Sequence, residues 1–229
     1  MERPLISVVI PVYNSDRFIA AAIESVLAQG YQPLELIVVD DGSTDQSREV
    51  VNKFPRARLL SQSHQGAGAA RNAGVRESKG EFIAFLDADD LWTDTKLSRQ
   101  MDAFLKNAEL EAVFAHVVEF FDVELKRGEE SRAIPGPIPG TMLIKRAAFE
   151  RIGFFDSAAD ALEGADWYLR ALEKSLRAEM LSEVLYRRRI HENNLALAHR
   201  DLNGYVRAIK ASLDRRRARG NLHADTKRT

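Results

Sequence analysis

Three carboxylates stand within four positions in FLDADDLW, Phe85 to Trp92: Asp87, Asp89 and Asp90. Like charges this close repel, and a bound cation removes the repulsion. Asp87 and Asp89 offer hard oxygen ligands. Such a pair suits Mg2+ or Mn2+ that keeps several waters and grips phosphate oxygens. The competing reading is a polar turn whose Asp side chains bond their own backbone. That accounts for one or two of the three acids, and poorly for a pair kept at the mouth of an apolar strand. An EF-hand is excluded, because its ladder of oxygens and its glycine are missing.

A second acidic site is VVDDGSTD, with Asp40 and Asp41. A carboxylate is a poor partner for phosphate and a good acceptor for a ribose hydroxyl or a base N–H. In PVYN, Pro11 to Asn14, Tyr13 supplies a flat face with a polar tip, suited to stacking on a base. Arg71, in AARNAG, has two readings. It is a solvated helix arginine, or a charge partner for a pyrophosphate.

These residues need elements to hold them. Leu5–Tyr13, Leu34–Asp40 and Glu81–Asp87 are apolar and rich in β-branched residues, as strands buried on both faces are. A shorter strand, ARLLSQ, lies between the last two. Helical spacing of apolar residues covers Asp16–Gln29, Ser43–Phe54, Gly66–Ser78 and Thr93–Asn107. Ser43 with Gln46 has the spacing of a capping box, and Thr93 is the expected cap of its helix. Alternation of this kind predicts parallel βαβ units, which bind ligands beyond the carboxyl ends of their strands. Both acidic clusters fall there.

The second half is less regular. Leu110–Lys126 reads as one long strand or a hairpin. Gly128–Gly140 carries three prolines and three glycines and is expected to be a mobile loop that closes over the site. Glu163–Ser175 is helical, and Ala178–His191 is a strand ending in YRRRIH. A basic amphipathic helix is expected over 201–219, with a frayed tail over 220–229. We read one domain, 1–220: a donor-binding half, 1–109; an acceptor-binding half, 110–200; and the terminal helix.

The 229 residues carry a formal net charge of −1, which recruits neither nucleic acid nor an anionic membrane. There is no cysteine, so disulfides and thiolate metal sites are excluded. The start lacks a signal peptide and no run is long enough to span a membrane, so a cytoplasmic protein is expected. The run Arg215–Arg219 is read as a solvated face, or as a peripheral contact with anionic lipid.

SVVIPVYN, IVVDDGSTD, ARNAG and FLDADD, in this order and spacing, resemble the family 2 glycosyltransferases, inverting enzymes of the GT-A fold. The likeness is strong over about the first 105 residues. It implies a three-layer αβα sandwich with a mainly parallel central sheet and the nucleotide site at the C-terminal strand edge. It implies transfer of a sugar from a nucleotide-diphosphate sugar, a UDP-sugar first, to a saccharide or lipid-linked acceptor in polysaccharide or glycoconjugate synthesis. Mg2+ or Mn2+ would sit on the diphosphate. Carried over by position, Pro11, Tyr13, Asn14, Asp40, Arg71 and Asp87 bind the nucleotide-sugar, and Asp89, Asp87 and His191 serve the metal.

The chain departs from the family at EGADWYLR. Glu163 fits the first residue of the usual Glu-Asp pair, but Gly164 stands where the general base is expected. Asp166 and Glu163 are the remaining candidates, with Trp167 as a platform for an acceptor sugar. A nucleotide-sugar-binding protein that has lost transfer is the rival reading. A sugar nucleotidyltransferase lacks support, since no glycine follows the first strand. A phospho-acceptor receiver domain would want its acids after that strand.

Overall fold

The structure, a computed structural model, describes residues 3–121, 130–157, 162–192 and Arg215. Its first half is the expected alternation. Strands β1 (Ile6–Val12), β2 (Leu34–Asp40), β3 (Ala57–Ser61) and β4 (Phe82–Phe85) run parallel in the order β3-β2-β1-β4. Helices α1 (Ile19–Leu27), α2 (Ser47–Val51) and α3 (Ala67–Glu77) make the crossovers. Every residue of β1 is buried, because both faces of the sheet are covered. Ile6, Val8 and Ile10 face one core with Ile19, Ile23 and Val26 of α1. Val9 faces the other with Ala70 and Val75 of α3. Gly74 has no space for a Cβ, which would strike Val9 and Val39, so α3 lies directly on the sheet.

The second half reverses direction. β5 (Leu91–Trp92) and α4 (Lys96–Lys106) lead into β6 (Ala112–Phe121), then β7 (Ile134–Gly136), β8 (Leu143–Lys145), α5 (Arg146–Ile152), α6 (Glu163–Glu173) and β9 (Ala178–Ile190). The sheet continues from β4 as β8-β6-β9-β5, with β7 paired to β6. β8 is antiparallel to β4 and β6, β9 is parallel to β6, and β5 is antiparallel to β9. Helices α1 and α4 pack on one face of this mixed sheet and α3, α5 and α6 on the other, giving three layers.

Several local expectations change. The helix after β2 starts at Ser47, and Ser43 does not cap it. Ser43 instead donates its N–H to Asp40 Oδ1 (3.1 Å) and accepts the Asn14 N–H at Oγ (3.0 Å). Thr93 does not cap α4 either; its buried Oγ1 has no partner among the described residues. Of the expected stretch 110–126, Ala112–Phe121 forms a single strand, and 122–126 lie outside the described residues. The expected loop is built rather than loose over 134–141: Gly136 pairs with Ala115, and a 3-10 turn follows at Pro139–Thr141. In that turn the Ile138 and Pro139 carbonyls accept from Thr141 N (3.2 Å) and Met142 N (3.0 Å). The expected terminal helix, apart from Arg215, and the tail lie outside the described residues.

Candidate active site

Register aligns the strand ends that carry the site. Val12 pairs with Asp40, so Tyr13 and Asp40 leave adjacent strands together. Pro11 pairs only toward β2, because pairing of β1 with β4 ends at Val9 and Phe85; no ladder donor is lost to β4 there. Asn14 adopts a left-handed φ of 47° and accepts the Thr44 N–H at Oδ1 (2.8 Å). The PVYN and DDGST loops are thereby locked together.

Asp40 is buried at this edge, with the half-exposed Arg48 Nε 3.3 Å from Oδ2, an oxygen that accepts no hydrogen bond among the described residues. Asp41 turns the other way. It accepts from Gln62 Nε2 (2.7 Å), Gln65 N (2.9 Å) and Gly66 N (2.8 Å), and His64 Nδ1 lies 2.9 Å from Oδ2. This carboxylate pins the loop before α3. It also sets His64 flat against Tyr13, ring centroids 4.0 Å apart and planes 28° apart. Tyr13 is 45% exposed, so its outer face is open to a ring.

The acidic turn lies beyond β4, on the other side of β1. Its three carboxylates do different things. Asp89 reaches outward, and His191, just past β9, places Nε2 3.0 Å from Asp89 Oδ2. Asp87 accepts from Arg71, with Tyr186 Oη 3.4 Å from its other oxygen. Asp90 points inward and accepts from Tyr186 Oη and from Arg189 N (2.6 Å). Burial, with the charges of Asp89 and Asp87 added, pushes the Asp90 carboxyl well above the usual carboxylate range. Burial and then Asp90 push the Tyr186 hydroxyl up as well, so it stays a donor. Among the described residues no three His, Cys, Asp or Glu side chains converge on a point that would hold an ion.

Arg71 sits neither in solvent nor on an open face. It is buried, and donates to Asp87 and, at 2.6 Å, to Glu163 Oε1. Burial opposes its charge, but Asp87 and Glu163 outweigh burial and raise its pKa. The next residue, Asn72, exchanges two hydrogen bonds with the Phe155 backbone, 2.8 and 3.0 Å. ARNAG therefore ties the first half of the chain to the second.

Glu163 and Asp166 both open α6, and both are paired. Asp166 takes Arg170 Nε at Oδ2 (2.8 Å) and Arg215 at Oδ1 (3.3 Å). Arg170 in turn donates to the carbonyls of Ile152, the last residue of α5, and Phe154 beyond it. Trp167 is no sugar platform: it is 2% exposed, stacks on Phe149 and donates Nε1 to the Gly153 carbonyl (2.8 Å). A ring this apolar is worth more in the core than at a wet site. Gly164 faces Pro139, whose Cδ would lie 2.8 Å from a Cβ there.

Residue types alone did not mark His64, Asn72, Tyr186 or Lys96. A faint signal existed for Arg71 and Asn72. Gly68, Arg71, Asn72 and Val75 have the i, i+3, i+4, i+7 spacing of an inward helix face. Lys96 is fully buried over the Trp92 ring (4.1 Å), with Gln100 Oε1 at 2.8 Å. Burial pulls its pKa well below the usual lysine value. Between that lowered value and the unfolded one the unfolded chain binds more protons, so folding stability rises with pH in that window. Wild type is therefore expected to gain stability relative to Lys96→Met as pH rises from neutral toward 10. Urea unfolding of both proteins across that range checks it, and parallel pH curves would refute it.

The model of the family described as Glycosyl transferase family 2 matches residues 7–159. The chain belongs to glycosyl transferase family 2. An uncharacterized glycosyltransferase of Haemophilus influenzae is 44% identical over 112 residues, 47% of this chain and 45% of that protein. WfgD of Escherichia coli is 44% identical over 110 residues, 47% of this chain and 44% of its own length. Its name is UDP-Glc:alpha-D-GlcNAc-diphosphoundecaprenol beta-1,3-glucosyltransferase. The chain thus spans less than half the length of these two relatives. EpsJ of Bacillus subtilis, an uncharacterized glycosyltransferase, is 30% identical over 84% of this chain and 63% of its own. Among solved structures, S. aureus TarS 1-349 in complex with UDP-GlcNAc superposes with a TM-score of 0.71 at 21% identity, over 85% of this chain and 61% of that one. The mannosyltransferase PcManGT of Pyrobaculum calidifontis, in complex with GDP-Man and Mn2+, gives 0.65 at 22%, over 84% and 59%. At these identities the likeness establishes the GT-A-type fold that the family 2 motifs imply.

Proposed function

We propose that this chain is an inverting glycosyltransferase that moves a sugar from a nucleotide-diphosphate sugar, a UDP-sugar first, to an acceptor hydroxyl. The observation that carries this is one strand edge that gathers Tyr13 and Asp40 on one side of β1 and Asp87 and Asp89 on the other. The nucleoside binds on the outer face of Tyr13, backed by His64. Its N–H or hydroxyl groups meet Asp40 once Arg48, half exposed, swings aside. Pro11 and Asn14 shape that side. The diphosphate lies toward the acidic turn.

Asp89 and His191 suit a hard divalent ion, Mg2+ or Mn2+, as a two-residue hold completed by phosphate oxygens and water. Such an ion supplies neutralisation of the departing diphosphate. Asp87, already engaged by Arg71 and Tyr186, serves this site from behind. Arg71 keeps Asp87 and Glu163 in place and brings positive charge near the diphosphate.

For inversion, the acceptor oxygen attacks the anomeric carbon as the bond to the diphosphate breaks. The hydroxyl proton passes to a carboxylate. We assign that role to Glu163, because Asp166 is clamped by two arginines and serves to anchor α6. Glu163→Gln is expected to lower kcat about 100-fold or more, with nucleotide affinity retained. Asp166→Asn is expected to lower thermal stability instead. Turnover assays with a panel of UDP- and GDP-sugars test the whole reading. The diphosphoundecaprenol-linked acceptor in WfgD's name makes a lipid-linked saccharide the first acceptor to try. Nucleotide binding without any turnover would favour the rival reading, a binding protein that has lost transfer; the pairing of both acids at α6 supports that rival. In this reading the domain extends over 1–220, acts in the cytoplasm, and touches anionic lipid through the basic run 215–219, less Arg215, which pairs with Asp166 and Glu173. Co-sedimentation with vesicles tests that contact.

A further inference from the structure

The third acid of the turn does not face the proposed ligand. Asp90 is 4% exposed and takes both its hydrogen bonds from β9: one from Tyr186 Oη, one from Arg189 N at 2.6 Å. Two more ties run from β9 to the same turn. Arg189 Nε donates to the Asp89 carbonyl (2.8 Å), and Tyr186 Oη lies 3.4 Å from Asp87 Oδ2. Immediately afterwards Leu91 and Trp92 pair with Arg187 and Tyr186. Tyr186 itself is fully buried, its ring packed directly on Gly140 where any Cβ would strike it. The Gly140 carbonyl accepts from Trp92 Nε1 (3.2 Å), which closes the ring of contacts.

We propose that Tyr186 is a positioning residue for the acidic turn: its hydroxyl, through Asp90, sets the height and angle at which Asp89 is presented beside His191. The physical reason is that residues 87–90 form a short turn with few apolar side chains to hold it. Three carboxylates in it repel one another. A turn of that kind stays in one conformation only if something outside it bonds its side chains. From outside the turn, Tyr186 reaches two of these carboxylates, Asp87 and Asp90, whereas Arg71 holds Asp87 alone and His191 holds Asp89 alone. The inference rests on the metal-and-diphosphate reading for its consequence, but not for its geometry.

Tyr186→Phe removes the hydroxyl and keeps the ring. Two readouts separate the cases. The first is amide hydrogen exchange with no ligand added. Peptides covering residues 86–92 are expected to exchange about tenfold faster, the effect of losing one hydrogen bond to a charged or buried acid. Peptides from β1 and β2 are expected to be unchanged. The second is Mn2+ titration in the presence of saturating UDP, followed by thermal shift. The Mn2+ concentration for half the effect is expected to rise about tenfold, while the UDP affinity measured without metal stays the same. Asp90→Asn, which keeps the shape, is expected to give a smaller change in the same direction. Unchanged exchange at 86–92, or an equal rise throughout the molecule, overturns the proposal. If wild type shows no Mn2+-dependent response to any nucleoside diphosphate, the metal-and-diphosphate reading fails, and the exchange measurement still decides the role of Tyr186.

Discussion

Asp89→Ala is expected to abolish metal-dependent nucleotide binding while leaving the fold intact. Asp89 is partly exposed, and its side chain bonds only to His191 among the described residues. Its loss removes no core contact. A nucleoside diphosphate held at about a hundred times its dissociation constant stabilises a protein by about 2.7 kcal/mol. In wild type this gain should appear with UDP and Mn2+ together, and chelation with EDTA should remove most of it. In Asp89→Ala it should be absent at the same concentrations, and turnover should fall by a factor on the order of 100 to 1,000, the scale of losing one group that stabilises transition-state charge. Retention of a full Mn2+-dependent shift in the variant would mean the acidic cluster is only a turn.

Arg71→Met is expected to cost stability first and activity second. Removing one partner of a buried ion pair leaves the other charge uncompensated, at about 3–5 kcal/mol. In a chain of this size that lowers the melting temperature by about 6–20 °C. The stranded group is mainly Glu163, since Asp87 keeps some contact with water. Adding Glu163→Met should therefore recover part of the loss, because an apolar pair replaces a broken ionic one. A loss below about 1 kcal/mol in the single variant would show that the ion pair does not join the halves. Differential scanning of the two variants beside wild type provides the measurement.

The two variants differ because the same type of residue does different work at different depth. Asp40 and Asp41 show this most simply. They are neighbours at the end of β2, where successive side chains point to opposite sides. One meets the strand edge; the other turns to hold the loop that carries His64. The acidic turn divides its labour in the same way, with Asp89 outward, Asp87 on Arg71 and Asp90 on Tyr186.

Sequence periodicity was enough for the strands β1, β2 and β4 and for the placing of both acidic clusters beyond their ends. Runs of β-branched residues buried on both faces, separated by helices, admit few other arrangements. The family motifs then named Tyr13, Asp40, Asp87 and Asp89 as the expected site residues. What periodicity did not reach was the long-range pairing: Arg71 with Glu163, Tyr186 with Asp90, His191 with Asp89, Gly164 against Pro139. Each joins residues far apart in the chain, and a local pattern holds no information about which distant side chain will arrive. The capping expectation at Ser43 failed because Asp40, nearby, and Asn14, far away in the chain, claim Ser43 first; Thr93 does not cap because α4 begins at Lys96, with Thr95 at its N-cap. The identities and spacing of the acids were thus written in the chain, while which of them faces outward, which meets Arg71 and which meets Tyr186 was decided only when β9 and α6 closed on them.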